Sequence, residues 1–186
     1  MKKTVALLII GLTLFSCEKD EITDSCKKDE ITDSRKIISE SIDLNSDNKP
    51  DFKIIFFELA TTDIPSSAGE TFRKITPIDG NSILYGGNDG YLFLQEGDVI
   101  KKEASGNYKW FSYGANLISK KRKGQIYDEF WTVLSGSNAN YYLGIKIKEG
   151  ENEKIGWVKL DFDILTGEIY LLNSKISSSD ELIIHE

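Results

Sequence analysis

Histidine is almost absent from this chain: His185 is the only one, and it lies beside the carboxyl end. A Ser-His-Asp triad and a His-rich zinc site both need imidazole in the body of a fold, so both are set aside. Cysteine is nearly as scarce. Cys17 and Cys26 are the only two, and the fold is expected to form without disulfides. No glycine loop that cradles phosphate, no dinucleotide fingerprint and no haem motif occurs. The longest apolar run, Val5 to Phe15, has about 11 residues, too few for a bilayer span of roughly 20. Positive charge is in deficit as well, with 23 Lys and Arg against 30 Asp and Glu and a net charge of −7. Such a chain gains nothing from counterion release on phosphates, so no nucleic acid is expected as a partner. From Phe52 onward no segment carries the periodicity of an amphipathic helix.

What is present begins with an address. Lys2 and Lys3 precede the short apolar run, the layout of an export signal. The run ends in Leu14-Phe15-Ser16-Cys17, which resembles the lipobox of bacterial lipoprotein signal peptides, with Phe15 bulkier than the usual small residue. That resemblance implies removal of residues 1–16, diacylation of the Cys17 thiol and a membrane held through acyl chains. Residues 17–25 (CEKDEITDS) and 26–34 (CKKDEITDS) are identical at eight of nine positions, a tandem duplication that makes Cys26 a spare thiol. This polar, charged stretch has little to bury, so residues 17–35 are expected to act as a flexible tether. Glu18-Lys19-Asp20-Glu21 resembles the export signal of surface lipoproteins in one group of Gram-negative bacteria. The expected location is therefore the outer membrane, with the domain exposed on the cell surface; the alternative is a domain facing the periplasm.

An acidic loop follows: Asp43-Leu44-Asn45-Ser46-Asp47-Asn48-Lys49-Pro50-Asp51. Oxygen-bearing side chains at its first, third, fifth and ninth positions, with the Lys49 carbonyl at the seventh, suit a hard cation such as calcium. The run resembles the calcium loops of dockerin-like and FG-GAP-type repeats, which implies a metal set of Asp43, Asn45, Asp47, Lys49 and Asp51. Ile54 stands where an EF-hand places its bidentate Glu, so the site must borrow a ligand from elsewhere or accept water. The other reading is an Asx-rich turn leading into a strand.

Apolar content of 40% with 11% aromatics is that of a globular domain, placed at residues 36–186. Phe52–Ala60 (FKIIFFELA) reads as a strand buried on both faces, and 61–70 as a loop. Residues 83–85 and 91–94, joined through Asp89-Gly90, predict a hairpin. Short strands are expected near 99–100, 108–113 and 115–119, with Lys120-Lys121-Arg122-Lys123-Gly124 as a solvated hairpin tip. In the last third, Tyr141, Leu143, Ile145 and Ile147 alternate with Tyr142, Gly144, Lys146 and Lys148. Val158, Leu160 and Phe162 alternate in the same way with Trp157, Lys159 and Asp161, which predicts one wet and one dry face. Thr166-Gly167 turns the chain into a further strand, and 181–185 supplies the last. Strands at roughly ten-residue spacing predict an all-β, antiparallel β-sandwich or jelly-roll-like single domain. YYLGIKIK (141–148) and IGWVKL (155–160) resemble a pattern in secreted bacterial β-domains, which implies a fold and an address but no activity.

Carboxylates are the only catalytic groups in supply, among them Asp128, Glu129, Asp161 and Asp163, and any acidic domain offers as many. Tyr108, Trp110, Tyr113, Trp131, Tyr142 and Trp157 are more suggestive, because alternation places some of these rings on exposed faces, where flat aromatics stack on sugars. Trp110, Trp131 and Trp157 are the candidate ligand-binding residues. The reading is a non-catalytic binding or interaction domain for a glycan or an envelope protein, not an enzyme. A carboxylate-dependent polysaccharide hydrolase or lyase is the first alternative, and a structural subunit of an envelope complex the second.

Overall fold

The computed structural model describes residues 36–37, 41–60, 68–86, 92–134 and 141–185. Cys17, Cys26, the signal and tether segments and the Asp89-Gly90 turn lie outside the described residues. Every described element is a β-strand, and every pairing is antiparallel. The expected all-β, sandwich-like domain is present.

The first sheet is built around the longest hairpin, β12 (Tyr141–Glu149) and β13 (Asn152–Phe162). On one side of it stand β14 (Ile169–Ser177) and β1 (Lys36–Ile37). On the other stand β5 (Ser82–Tyr85), β8 (Lys109–Phe111) and β6 (Phe93–Leu94). The second sheet runs β10 (Ile126–Tyr127), β9 (Ala115–Lys123), β4 (Ala68–Pro77), β3 (Phe52–Ala60) and β2 (Ser41–Ile42), with β11 (Thr132–Val133) also on β9. A two-stranded ribbon joins β7 (Val99–Lys101) to β15 (Glu181–Ile183).

Hydrophobic alternation explains the layering. Leu143, Ile145, Ile147, Val158 and Leu160 share one face of the β12–β13 hairpin and pack with Phe52, Ile75 and Ile118 of the second sheet. The opposite face carries Tyr142, Ile155 and Trp157, and these are covered too, by Ile100, Leu182 and Ile184 of the ribbon and its extension. The first sheet is therefore the middle of three layers. The expectation of one wet face fails here because Lys146 and Lys159 are long enough to lie over the rings of Trp110 and Tyr142. The Lys146 ammonium lies over the Trp110 ring and pairs with Glu153 at 3.2 Å, so this lysine belongs to the covered face.

Three other expectations are corrected. The runs at 83–85 and 93–94 do not pair with each other; both join the same edge of β12, Ile83 opposite Ile145 and Leu94 opposite Tyr142. The chain thus runs onward along β12 instead of turning back. β3 is not buried on both faces: Phe56 is 60% exposed and Lys53 and Leu59 are exposed, because β3 extends beyond the core that covers its first residues. Lys120–Lys123 belong to the strand β9, and only the following turn, with Gly124 at φ 64°, forms a tip. Strand β4 was hidden in the sequence. Glu70, Arg73 and Lys74 interrupt its apolar pattern on both faces, yet it pairs along its whole length with β3 and along most of it with β9.

Candidate functional site

The acidic loop folds around its own carboxylates. Asp43 accepts the Ser46 amide at Oδ1 (2.8 Å) and the Asn48 amide at Oδ2 (2.9 Å). Asn45 Oδ1 accepts the Asp47 amide and Asp47 Oδ1 accepts the Lys49 amide. These local bonds are what Asp and Asn offer a chain that turns tightly. The wrapping requires left-handed backbone at Ser46 (φ 62°) and Asn48 (φ 65°), and Asn adopts that conformation more readily than most residues. Asp51 closes the loop, accepting the Leu44 amide at Oδ2 (2.8 Å), while its own amide donates to the Ile42 carbonyl.

Asn81, which the sequence reading passed over, fixes this loop to the rest of the domain. It is 3% exposed and sits just after the Ile78–Asn81 turn, whose central residues Asp79 and Gly80 both have positive φ. Its Nδ2 donates to the Asp51 carbonyl (3.1 Å) and to Asp51 Oδ1 (3.3 Å), and its Oδ1 accepts the Lys148 amide of β12 (2.8 Å). One buried amide therefore joins both sheets to the loop. The Asp79-Gly80 dipeptide was the available signal, since it marks a turn that must deliver whatever follows. Asp51 is 6% exposed, and burial pushes its carboxyl above the ordinary carboxylate range, with Asp43 nearby adding to the rise against the opposing hydrogen bonds. From the far side Glu149 accepts from Asn45 Nδ2 (3.2 Å) and pairs with Lys154 (2.8 Å). The Lys154 hydrogen bond holds the Glu149 carboxyl below its usual value.

Between the loop, the 78–81 turn and the tip of the β12–β13 hairpin lies an open polar cleft of about 480 Å³, lined by Asn45, Asp47, Asp51, Asp79, Lys148 and Glu149 among others. The loop's oxygen atoms are of the kind a hard cation takes. Among the described residues, though, no three His, Cys, Asp or Glu side chains converge as a metal cluster.

The three tryptophans are placed apart from this cleft and from one another. Trp157 is 2% exposed and meets Tyr142 edge to face at 5.4 Å in the layer under the ribbon. Trp131 is 9% exposed, its amide bound to the Ile164 carbonyl and its ring pressed on Gly167 so closely that a Cβ there would lie 2.5 Å from the indole. Trp110 is half-buried and donates from Nε1 to the carbonyls of Lys101 (3.2 Å) and Lys102 (2.9 Å), which ties β8 to the ribbon. Among the rings that do face outward are Tyr85 and Phe111, edge to face at 5.5 Å, and Tyr113, which is 78% exposed.

Comparison with protein-family models, with curated proteins and with solved structures returns no similar protein. Two of the four candidate carboxylates are engaged locally. Asp161 accepts the Phe162 amide, and Asp163 accepts those of Leu165 and Thr166 in the turn before β14. Asp128 and Glu129 are exposed beyond β10.

Proposed function

We propose that the chain is a lipid-anchored envelope protein, held to the outer membrane through Cys17, whose β-domain is a non-catalytic binding module for glycans. The observation that carries the binding reading is the exposed aromatic group at the edge of the first sheet. Tyr85 and Phe111 present a ring pair, and Tyr113 follows two residues beyond Phe111. Rings left in water cost free energy that burial against a partner recovers, and their flat faces suit the CH face of a sugar. Trp110 lies behind this edge and supports it, and the ligand role expected of the tryptophans passes to these three rings.

The test uses the full chain in neutral detergent on a glycan array, paired with a reducing-sugar assay. Binding without turnover is the expected result, and Phe111→Ala with Tyr113→Ala should weaken it several-fold. Turnover would instead favour the polysaccharide hydrolase or lyase. The absence of both binding and turnover would favour an accessory subunit. Mass spectrometry of the native product tests the anchor: the expected species starts at Cys17 and carries acyl chains.

A second reading concerns the acidic loop. Its left-handed turn at Asn48 and its oxygen-rich positions favour a structural calcium ion held by Asp43, Asn45, Asp47, the Lys49 carbonyl and Asp51, with Glu149 in reach of Asn45 as the extra carboxylate. Calcium at millimolar concentration should raise the melting temperature of the wild-type chain and leave that of Asp47→Ala unchanged. Equal curves in the two proteins would remove the ion from the account.

A further inference from the structure

The second sheet carries a surface that the readings above do not use. Its core-facing side begins with Phe52, Ile54, Ile75 and Ile118 and then runs on past the core. Register places three rows of side chains on that continuing face. Ile118, Arg73 and Phe56 form the first, Lys120, Thr71 and Glu58 the second, and Arg122 opposite Gly69 the third. A face that was apolar inside the core becomes cationic where it leaves it.

The cations are held, not loose. The Arg73 guanidinium lies over the Trp131 ring at 5.7 Å, and that of Arg122 over Tyr127 at 5.8 Å. Arg122 crosses the sheet to reach Glu58 at 2.9 Å, and it does so over Gly69, where a Cβ would sit 3.2 Å from both Nε and Nη2. Lys120 donates to the Glu129 carbonyl at 3.1 Å. Among the described residues Arg73 has no carboxylate partner, and its Nε has no hydrogen-bond acceptor. Glu58 offsets one of three positive charges, so the face keeps an excess on a chain whose net charge is −7. Beside Arg73, Phe56 stands 60% exposed.

We infer that this face binds an acidic polysaccharide, a sugar polymer bearing carboxylate groups. The Arg73 Nε is buried, so it is the terminal Nη groups that would meet a planar carboxylate in two-point fashion. Lys120 adds a point charge one row away, and Phe56 offers a ring for the apolar face of a sugar residue. Successive rows on one face lie about 7 Å apart, so Arg73, Lys120 and Arg122 fall in three successive rows, with Phe56 beside Arg73 in the first, an arrangement that an extended chain can follow. A lipid surface fits less well, because the face is closed at its inner end by Trp131 and the core. This inference does not depend on the aromatic group at Tyr85, Phe111 and Tyr113.

The experiment measures binding of polygalacturonate and of neutral dextran to the full chain in neutral detergent at low and high salt. Expected are polygalacturonate binding that weakens at least ten-fold between 0.05 and 0.5 M salt, roughly as screening of exposed charges demands, and no comparable binding of dextran. Lys120→Glu, which alters a side chain with one hydrogen bond, should weaken polygalacturonate binding at least ten-fold, and Arg73→Gln should do the same. Lys175→Glu, on another strand, should leave it unchanged. Circular dichroism confirms that each variant is folded. No polygalacturonate binding, binding indifferent to salt or to Lys120→Glu, or binding to phosphatidylglycerol vesicles in its place would each overturn the inference. A neutral glycan that binds at Tyr113 while polygalacturonate does not would overturn it and leave the proposed function standing.

Discussion

The β12–β13 hairpin and the outer half of the β3–β4–β9 arm are both antiparallel strands with apolar side chains on both faces, yet they live in different surroundings. In the hairpin, Leu143 and Val158 on one face and Tyr142 and Trp157 on the other are all at most 2% exposed. In the arm, Phe56 and Leu59 point to opposite faces and both are more than half exposed. The difference is not in the strands themselves. The hairpin lies between two layers, the second sheet and the β7–β15 ribbon, while on the arm Phe56 and Leu59 are left uncovered even though Thr71 and Phe72 of the neighbouring strand are buried. Burial of a β-residue is thus set by what stacks on its face, and alternation alone reports only which residues share one.

The largest effect should come from breaking the hairpin's second cover. Trp157→Ala removes a fully enclosed ring and should cost about 3–5 kcal/mol, read as a lowered urea midpoint with little change in slope. Asn81→Ala leaves the Lys148 amide without its acceptor and frees Asp51, and should cost about 1–3 kcal/mol by the same measurement. Gly69→Ala crowds the Arg122 guanidinium, which must give by a few tenths of an ångström, and should cost about 1 kcal/mol or less, with strain on the Glu58 pair visible as a weaker salt dependence of stability. Phe56→Ala, on the arm, should stay within about 0.5 kcal/mol of the wild type. A cost for Phe56→Ala equal to that of Trp157→Ala would erase the contrast between the two regions.

The loop adds a signed pH dependence. Asp51 is raised above its ordinary value in the fold, so ionising it opposes folding, and its contribution improves as pH falls through that raised value. Glu149 runs the other way: its carboxyl is lowered, and the stability it lends is present above the ordinary carboxylate value and lost as pH falls through the depressed one. Subtracting the melting temperature of Asp51→Asn from that of the wild type between pH 7 and pH 4 should leave a difference that shifts toward the wild type on acidification. A flat difference would mean that burial does not govern this carboxyl.

Residue order was enough to read the strand-rich class, the extent of β12 and β3 and the Thr166-Gly167 turn, because these follow from local alternation and turn chemistry. The acidic loop was equally legible, since Asp and Asn spaced by two serve their own backbone whatever lies around them. Asn81 was not: its three hydrogen bonds reach residues 30 and 67 positions away, and no short window contains them. The same holds for the tryptophans. Trp110, Trp131 and Trp157 read alike as aromatic residues in or beside strands, and only the packing of the ribbon over Trp157 and of Gly167 on Trp131 took two of them out of water. The in-line placement of β5 and β6 also came from outside their own residues, through a shared edge of β12. Local chemistry determined which segments extend and where they turn. The stacking of layers, which brings together residues far apart in the chain, alone decided which faces stay dry and which cations and rings stay exposed.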